Sequence, residues 1–385
     1  MIPYGILLIT VCFLCYLNQK KSSKTIRKLI FFILGVFSGI RYYVSVDYEN
    51  YCDIFYAIKY GNYYSIEKLF VLISRIVQHF GGTPQIIFLF YSLLFSYFIF
   101  QFIEKESTDF TFSVIIFLCF APFYLSSFNT MREALSVSIL LYSLTIDESK
   151  KAKIFVLFLA AICIHTSAFV GVLLWILKKV KIKHEIIFVL FFSALMYAFL
   201  SIYGFNYLSQ SLSDFRESSY SVSALGISYL IFLLFGLFVL YLSCRGIIPI
   251  TQIEKSLIIY SCIIILVALL SRKYETLFAR FITYGSFYFV ISYPKLQRLF
   301  SSAIFRYISY VFFMGYYFIT LRSARAMIPY QCSLQFFDSK ISNVFFIYIL
   351  VTFITFFLVF LGKDEIKGQS NENKMEIQFE NENEN

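Results

Sequence analysis

Long apolar runs, separated by short clusters of Lys and Arg, dominate the pattern of hydrophobic and polar positions along the chain. A helix needs about 20 apolar residues to cross a bilayer core, with a range near 17–25. Because the runs are continuous rather than alternating, they predict helices and not the strands of an outer-membrane barrel. The runs lie near 2–17, 29–40, 84–103, 111–127, 130–146, 154–177, 184–201, 226–244, 254–270, 278–293, 303–321 and 341–361.

The composition favours the same fold class. Of the 385 residues, 59% are hydrophobic and only 15% are charged, whereas an average soluble domain has about 25% charged residues. This excludes a soluble enzyme, a nucleic-acid-binding domain and a disordered chain. We predict an all-α, polytopic integral membrane protein of about 11–13 transmembrane segments. Residues 1–367 would form one membrane domain, and residues 368–385 a disordered polar cytoplasmic tail.

The basic loops predict both an orientation and a hairpin. The net charge is +10, and excess Lys and Arg marks cytoplasmic loops, so 20–28, 150–153 and 178–183 should all be cytoplasmic. Only the run 154–177 separates the last two loops. We therefore expect two short helices that turn at 164–167, each about 16–18 Å long, within a hydrocarbon core about 30 Å thick. The turn would reach an outward-facing wet cavity; the alternative is one continuous span.

Residues 65–80 are too polar for a span that faces lipid. Glu67, Lys68, Arg75 and other polar residues alternate there with apolar positions that recur every three or four residues. This predicts an amphipathic helix at the membrane interface, within an outer-face segment over 41–83. With it outside, the outer loops carry more Arg than Lys, which suits recognition of a phosphorylated ligand.

Two groups of polar residues follow predicted spans on the outer face. Arg41, Asp47, Tyr48 and Tyr51 suit acid–base chemistry or sugar binding, although an interfacial aromatic belt with a structural Arg41–Asp47 pair would have the same composition. Asn129 and Arg132 lie where a helix begins, so Arg132 could form an anion site there or simply extend to the interface.

Two further groups lie later in the chain. His165, beside Ser167, interrupts an apolar run, which favours function over a neutral His hydrogen-bonded between helices. Several Arg near outer turns favour a polyanionic substrate; they are Arg272, Arg280, Arg322 and Arg325, followed by Tyr330. The sequence contains no Gly-rich phosphate loop, HExxH, GxSxG or DxD motif, and the Cys12–Cys15 pair lies inside an apolar run. These absences speak against ATP-driven transport, a zinc protease and a serine hydrolase.

Together these motifs resemble the EpsG-like family of polysaccharide polymerases, which is related to the Wzy-type O-antigen polymerases. Val46 stands where the family often has Gly before the Asp, and Glu133 stands where it often has Gln or another polar residue after the Arg. The motifs occur in the family's order: Arg-x5-Asp-Tyr-x2-Tyr over 41–51, Glu67 at a helix start, Asn-x2-Arg over 129–132, His-x-Ser-Ala over 165–168, and Pro329-Tyr330.

The resemblance implies a GT-C-like glycosyltransferase of the bacterial inner (cytoplasmic) membrane. It would join undecaprenyl-diphosphate-linked oligosaccharide repeat units of an O-antigen, capsule or exopolysaccharide on the periplasmic or outer face. The resemblance implies no metal and no cofactor, because the diphosphate is already a good leaving group. Partners would be that lipid-linked oligosaccharide, the bilayer, and a chain-length regulator and flippase of the same pathway, with no nucleic acid. The alternatives are another lipid-linked-sugar transferase, a lipid-linked oligosaccharide transporter or a membrane acyltransferase.

The roles expected of individual residues follow from this reaction. Asp47 is expected to be the catalytic base, with Glu67 as the other carboxylate candidate, and His165 to donate to the leaving diphosphate. Arg132 would bind the diphosphate with Arg272 or Arg280. The remaining substrate-binding candidates are Arg41, Tyr48, Tyr51, Asn129, Ser167, Arg322, Arg325 and Tyr330.

Overall fold

The computed structural model describes residues 1–61, 66–204, 227–271, 275–300 and 303–337. These residues form helices and no strand, with only two isolated bridges between extended segments. Five of the helices are long and apolar enough to cross a membrane, which confirms an all-α, polytopic membrane protein. They are Ile2–Lys21, Pro84–Glu106, Glu185–Ile202, Gln252–Leu270 and Ala303–Ser323.

The number of helices that are long enough to cross a bilayer is smaller than the expected number of about 11–13 spans. The reason is that several of the apolar runs form short helices. At about 1.5 Å per residue, helices of 9 to 16 residues are shorter than a bilayer core.

The last predicted span, 341–361, and the tail 368–385 lie outside the described residues. The helices are α1 Ile2–Lys21, α2 Lys24–Gly39, α3 Tyr48–Lys59, α4 Lys68–His79, α5 Pro84–Glu106, α6 Phe110–Cys119, α7 Met131–Leu144, α8 Lys151–Ile164, α9 Gly171–Lys179, α10 Glu185–Phe199, α11 Ile227–Cys244, α12 Gln252–Leu270, α13 Glu275–Ser286, α14 Tyr288–Leu299 and α15 Ala303–Ser323.

The chain divides into two compact units. The terminal unit comprises Met1–Ile66, Phe70–Phe100 and Ala326–Asn385, and the central unit comprises Glu67–Leu69 and Gln101–Arg325. The single membrane domain expected over 1–367 stays a prediction.

A buried arginine organises the terminal unit. Arg41 has no exposed surface, and its Nη1 donates to the Ser38 carbonyl oxygen at 2.5 Å. The guanidinium lies over the Phe88 ring at 4.8 Å, while the Gln85 amide donates to the Arg41 carbonyl oxygen at 3.1 Å. A buried charge is tolerated when hydrogen bonds and an aromatic face replace its water. Arg41 therefore joins the end of α2 to the start of α5.

An extended pairing connects the segment after α2 to the chain after α15. The Tyr42 N–H donates to the Gln331 carbonyl oxygen at 2.9 Å, and the Ser45 N–H donates to the Ala326 carbonyl oxygen at 2.8 Å. Ser45 has φ 91°, a left-handed conformation that is costly for a residue with a side chain. The inter-segment hydrogen bonds hold this turn in place immediately before Asp47.

The amphipathic helix expected over 65–80 is present as α4, Lys68–His79. One face is buried and the other is exposed, as the three-to-four-residue spacing predicts. Leu72 and Ile76 lie on the exposed face; whether that face lies at a membrane interface stays a prediction. The buried residues of the helix are Phe70, Val71, Ser74 and Val77.

Helix α12 forms the core of the central unit and packs against α9, α10, α11 and α13. Its residues are buried almost continuously from Ile253 to Ala268. A capping box between Thr251 and Glu254 begins the helix and satisfies backbone N–H groups there. The fully buried Glu254 also pairs with Lys295, so this end of α12 is fixed to α14.

The run 154–177 forms the predicted hairpin. Helix α8 ends at Ile164, a 3₁₀ turn spans Thr166–Val170, and α9 then returns. The ends of the two arms meet, because Lys179 lies 3.6 Å from Glu148 and the Lys178 ammonium donates to the Leu144 carbonyl oxygen at 2.8 Å. The two basic loops therefore lie on the same side, and the single continuous span is wrong.

The return of the hairpin depends on a close approach at Gly171. A Cβ built there would lie 2.0 Å from Cδ1 of Leu140 and 2.9 Å from Cε2 of Phe158. Both contacts are far below van der Waals distance, so a side chain would push α9 away from α7 and α8.

We expect Gly171→Ala to lower the free energy of unfolding by about 1–3 kcal/mol, because Leu140 is fully buried and has little room to move. Gly315→Ala is the matched control: nothing lies within 4 Å of its Cβ position in α15. That change should be neutral or stabilising by up to about 1 kcal/mol. Denaturant unfolding in detergent micelles measures both, and equal effects of the two substitutions would contradict the packing argument.

Candidate functional site

Glu67, Arg132 and His165 meet in the central unit. The Glu67 carboxylate pairs with Nη1 of Arg132 through one oxygen and lies 2.6 Å from Nδ1 of His165 through the other. The exposed fractions of the Glu67, Arg132 and His165 side chains are 12%, 18% and 15%, so the cluster is largely but not completely buried. Three residues predicted from separate motifs are therefore brought together.

Each residue is placed by the end of a helix. Arg132 is the second residue of α7, which begins directly after a short 3₁₀ turn, Ser126–Phe128. His165 stands in extended conformation between α8 and the 3₁₀ turn of the hairpin, and its N–H donates to the Ala161 carbonyl oxygen at 3.0 Å. Glu67 immediately precedes α4. Arg132 and His165 are therefore fixed by hydrogen-bonded backbone, and Glu67 lies next to the first residue of α4.

The cluster favours an ionised Glu67. Burial raises the pKa of the Glu67 carboxyl, but the hydrogen bond with His165 and the positive charge of Arg132 outweigh burial, so the pKa lies below its ordinary value. An ionised carboxylate only accepts hydrogen bonds, so His165 donates from Nδ1. When the ring is neutral, Nε2 is then the nitrogen that can take a proton.

The hairpin turn has a second hydrogen bond that sequence reasoning missed. The hydroxyl groups of Ser167 and Tyr284 lie 2.7 Å apart and connect the turn to α13. Ser167 was a predicted site residue, but no feature distinguishes Tyr284 from the other 30 tyrosines of the sequence. Only the fold brings these two residues, 117 positions apart, together.

Glu133 is a further residue of this region that was not predicted to act. It follows Arg132 in the first turn of α7 and is only 5% exposed. The Thr283 hydroxyl is its hydrogen-bonding neighbour, and the charges of His165 and Arg280 act on its carboxyl group. An acidic residue inside an apolar run was the available signal, as it was for His165.

Several predicted substrate-binding residues lie in the terminal unit and pack in its core. Tyr48 is 3% exposed, stacks on Phe88 at 4.6 Å and donates to the Gln85 side chain at 3.3 Å. Tyr51 is also buried. Asp47 is half-buried and precedes α3 as its N-cap residue. Their roles in catalysis and sugar binding stay predictions.

Tyr330 also has a place in the core of the terminal unit. Its ring stacks on Phe37 at 4.2 Å and meets the edge of Tyr4 at 5.4 Å. Its hydroxyl donates to the Phe37 carbonyl oxygen at 2.5 Å. These contacts connect the Pro-Tyr motif to α1 and α2, and they give Tyr330 a structural role whatever its part in substrate binding.

The remaining predicted residues are spread over the described helices. Asn129 is half-buried at the end of the 3₁₀ turn before α7, and Arg280 and Arg322 are exposed on α13 and α15. Arg272 and the side chain of Arg325 lie outside the described residues. Among the residues that are described, no three His, Cys, Asp or Glu side chains are grouped so that they could hold a metal ion.

Comparison with protein families agrees with the motifs. The model of the EpsG family matches residues 24–332, most of the chain. The matched range contains Glu67, Arg132, His165 and the whole hairpin. Comparison with curated proteins and with solved structures gives no match. Because the family model covers well over half of the sequence, the chain belongs to the EpsG family, which implies a membrane glycosyltransferase-like polysaccharide polymerase.

Proposed function

We propose that the protein joins oligosaccharide repeat units carried on undecaprenyl diphosphate, on the periplasmic or outer face of the bacterial inner membrane. The hydroxyl group of the acceptor sugar attacks the anomeric carbon of the donor. The bond from that carbon to the lipid diphosphate breaks, and the diphosphate leaves with the bonding electrons. The proton of the hydroxyl passes to a base. Family membership and the Glu67–Arg132–His165 cluster support this proposal.

The single observation that carries the proposal is the orientation of His165 by Glu67. A carboxylate that accepts from Nδ1 fixes the tautomer of the ring and stabilises the imidazolium that forms when Nε2 takes a proton. We therefore assign His165 as the proton acceptor from the sugar hydroxyl and Glu67 as the residue that orients it. Glu67 itself is a weak base here, because its two neighbours hold its pKa low.

Arg132 is suited to the diphosphate in the same arrangement. A guanidinium has five N–H donors in a planar fork, and the pair with Glu67 involves Nη1. The position at the start of α7 adds backbone N–H groups and the positive end of the helix dipole. Arg132 and His165 contact different oxygens of the Glu67 carboxylate, so the diphosphate site and the proton acceptor would lie close together but on different atoms.

Asp47 remains the rival base. The sequence favours it because Tyr48 and Tyr51 follow it, whereas the contacts of His165 favour the Glu67–His165 pair. In the rival assignment His165 is protonated and donates to the diphosphate. Separate substitution of Glu67 and Asp47 distinguishes His165 from Asp47 as the base.

We expect His165→Ala to reduce polymer formation by about 10²–10⁴-fold, because a positioned base typically contributes that much. His184→Ala is the matched control, since His184 is exposed at the start of α10. The measurement is the polymer ladder on a gel from a deletion strain complemented with each variant, with membrane levels checked. Accumulation of single lipid-linked units without a ladder is expected for His165→Ala alone; a normal ladder from it would remove the proposed base.

We expect Glu67→Gln to impair polymerisation more than Asp47→Asn does. Gln keeps the shape of Glu67 but loses the charge that stabilises the imidazolium. The Asp47 side chain makes no capping hydrogen bond to α3, so Asn in its place removes no cap. The measurement is the polymer yield of each variant per membrane-inserted protein, taken across a range of pH. Loss of the ladder with Asp47→Asn and its retention with Glu67→Gln would instead favour Asp47 as the base.

Arg132→Lys should lose most activity although the charge is kept, because Lys has no planar fork for a diphosphate or for the Glu67 carboxylate. Arg245→Lys is the control: Arg245 is exposed and lies over the ring of Tyr241, away from any predicted site motif. The ladder assay again gives the measurement. Full-length polymer from Arg132→Lys at normal membrane levels contradicts the assignment of the diphosphate site.

A further inference from the structure

A cavity of about 410 Å³ lies between the two arms of the hairpin in the central unit. Its volume falls within the range of about 300–1,000 Å³ that is usual for small-molecule sites. It is separate from the Glu67–Arg132–His165 cluster, since it opens beside the basic ends of α8 and α9 rather than at their turn. The lining residues include Ile154, Phe155, Phe158, Val172 and Trp175, with Lys151, Lys179 and Glu148 at the mouth.

The walls of the cavity are apolar and accessible from the side. Phe155 is 65% exposed and Trp175 is 38% exposed, so the rings are not covered by other described parts of the chain. Trp is the residue that best suits the level of lipid headgroups, because its ring is both apolar and able to donate a hydrogen bond. The cavity therefore offers an exposed apolar surface to a hydrocarbon chain.

The mouth of the cavity is positively charged. The Lys151 ammonium group has no ion pair or hydrogen bond with any residue that the structure describes. Lys179 lies 4.0 Å above the Trp175 ring and 3.6 Å from Glu148, and this ion pair is largely exposed and therefore weak. Two ammonium groups above an apolar cleft complement a phosphate whose hydrocarbon chain enters the cleft.

Two other lysines of the basic loops make hydrogen bonds outside the cavity. The Lys153 ammonium donates to the Tyr142 hydroxyl at 3.3 Å, and the Lys178 ammonium donates to the Leu144 carbonyl oxygen at 2.8 Å. Neither residue lines the cavity. The charge at the mouth is therefore a property of Lys151 and Lys179 and not of the basic loops as a whole.

We propose that the cavity between α8 and α9 binds an anionic phospholipid of the surrounding bilayer. Its phosphate pairs with Lys151 and Lys179, and one acyl chain packs along Phe155, Phe158 and Trp175. A phospholipid fits better than a soluble anion, because the apolar walls are as large a part of the site as its charges. The inference does not rest on the proposed polymerisation.

Trp175 makes the proposal directly measurable, because it is the only tryptophan in the sequence. The full-length protein is reconstituted in phosphatidylcholine bilayers that contain brominated phosphatidylglycerol or, at equal mole fraction, brominated phosphatidylcholine. Bromine quenches tryptophan fluorescence only on contact, so quenching reports acyl chains in the cavity. We expect phosphatidylglycerol to quench more strongly, with a preference of about fivefold for each lysine that pairs with the headgroup.

Matched variants test the role of the two lysines. Lys151→Gln combined with Lys179→Gln should abolish the preference, whereas Lys153→Gln, which also removes a charge from the same loops, should retain it. Glu148→Gln should increase the preference, because it frees Lys179 from its ion pair. Each variant keeps Trp175, so its fluorescence also reports that the site has folded.

Three results would overturn the proposal. Equal quenching by both brominated lipids would mean that the cavity has no selectivity for anionic headgroups. A preference that survives loss of both lysines would place the selectivity elsewhere. Reversal of the quenching by a trace of polyprenyl phosphate would assign the cavity to that lipid and not to a bilayer phospholipid.

Discussion

The hydrogen bond between the Glu67 carboxylate and the His165 ring allows the chain to reverse direction within an apolar bundle. A backbone that leaves helical conformation in such surroundings must have its polar groups satisfied by protein or water. Here the His165 N–H donates to the Ala161 carbonyl oxygen and the Ala168 N–H donates to the His165 carbonyl oxygen, both at 3.0 Å. The polar side chains of the turn are satisfied as well, because His165 bonds to Glu67 and Ser167 bonds to Tyr284. Since the turn is satisfied in this way, α8 and α9 can both be shorter than a full span.

The same cluster is a poor choice if stability were its only purpose. Bringing a carboxylate and a guanidinium out of water costs about as much as their attraction returns, whereas removing one partner of a buried pair typically costs about 3–5 kcal/mol. Such a pair adds little net stability, yet its disruption is strongly destabilising. A chemical role explains its presence better than a contribution to folding does. This is also why Glu67 and Arg132 are informative only through substitutions that keep their size and hydrogen-bonding capacity.

The sequence predicted the helical class, the hairpin at 164–167, the amphipathic α4 and the three members of the cluster, because each leaves a local signal. The positions of Lys clusters between apolar runs predicted the hairpin. His165 was predicted as a site residue because it is ionisable and lies within an apolar run. It could not predict that Arg41 and Tyr48 are buried, because burial of a polar side chain depends on partners such as Gln85 and Phe88 from other helices. For the same reason it could not reveal Tyr284.

The turn of the hairpin carries His165, and the opposite end carries Lys151 and Lys179. The distance between these ends limits how a molecule bound at one end can affect the other. Helix α8 has 14 residues and is therefore about 21 Å long, so a molecule held at Lys151 and Lys179 cannot touch His165 with its headgroup. One route between the two ends is the packing of the arms on α7. This packing includes the hydrogen bond from the Ser136 hydroxyl to the Ala161 carbonyl oxygen, at 2.9 Å, and the close approach of Gly171 to Leu140. Because Arg132 begins the same helix, any shift of α8 or α9 along α7 would change the position of the guanidinium relative to His165.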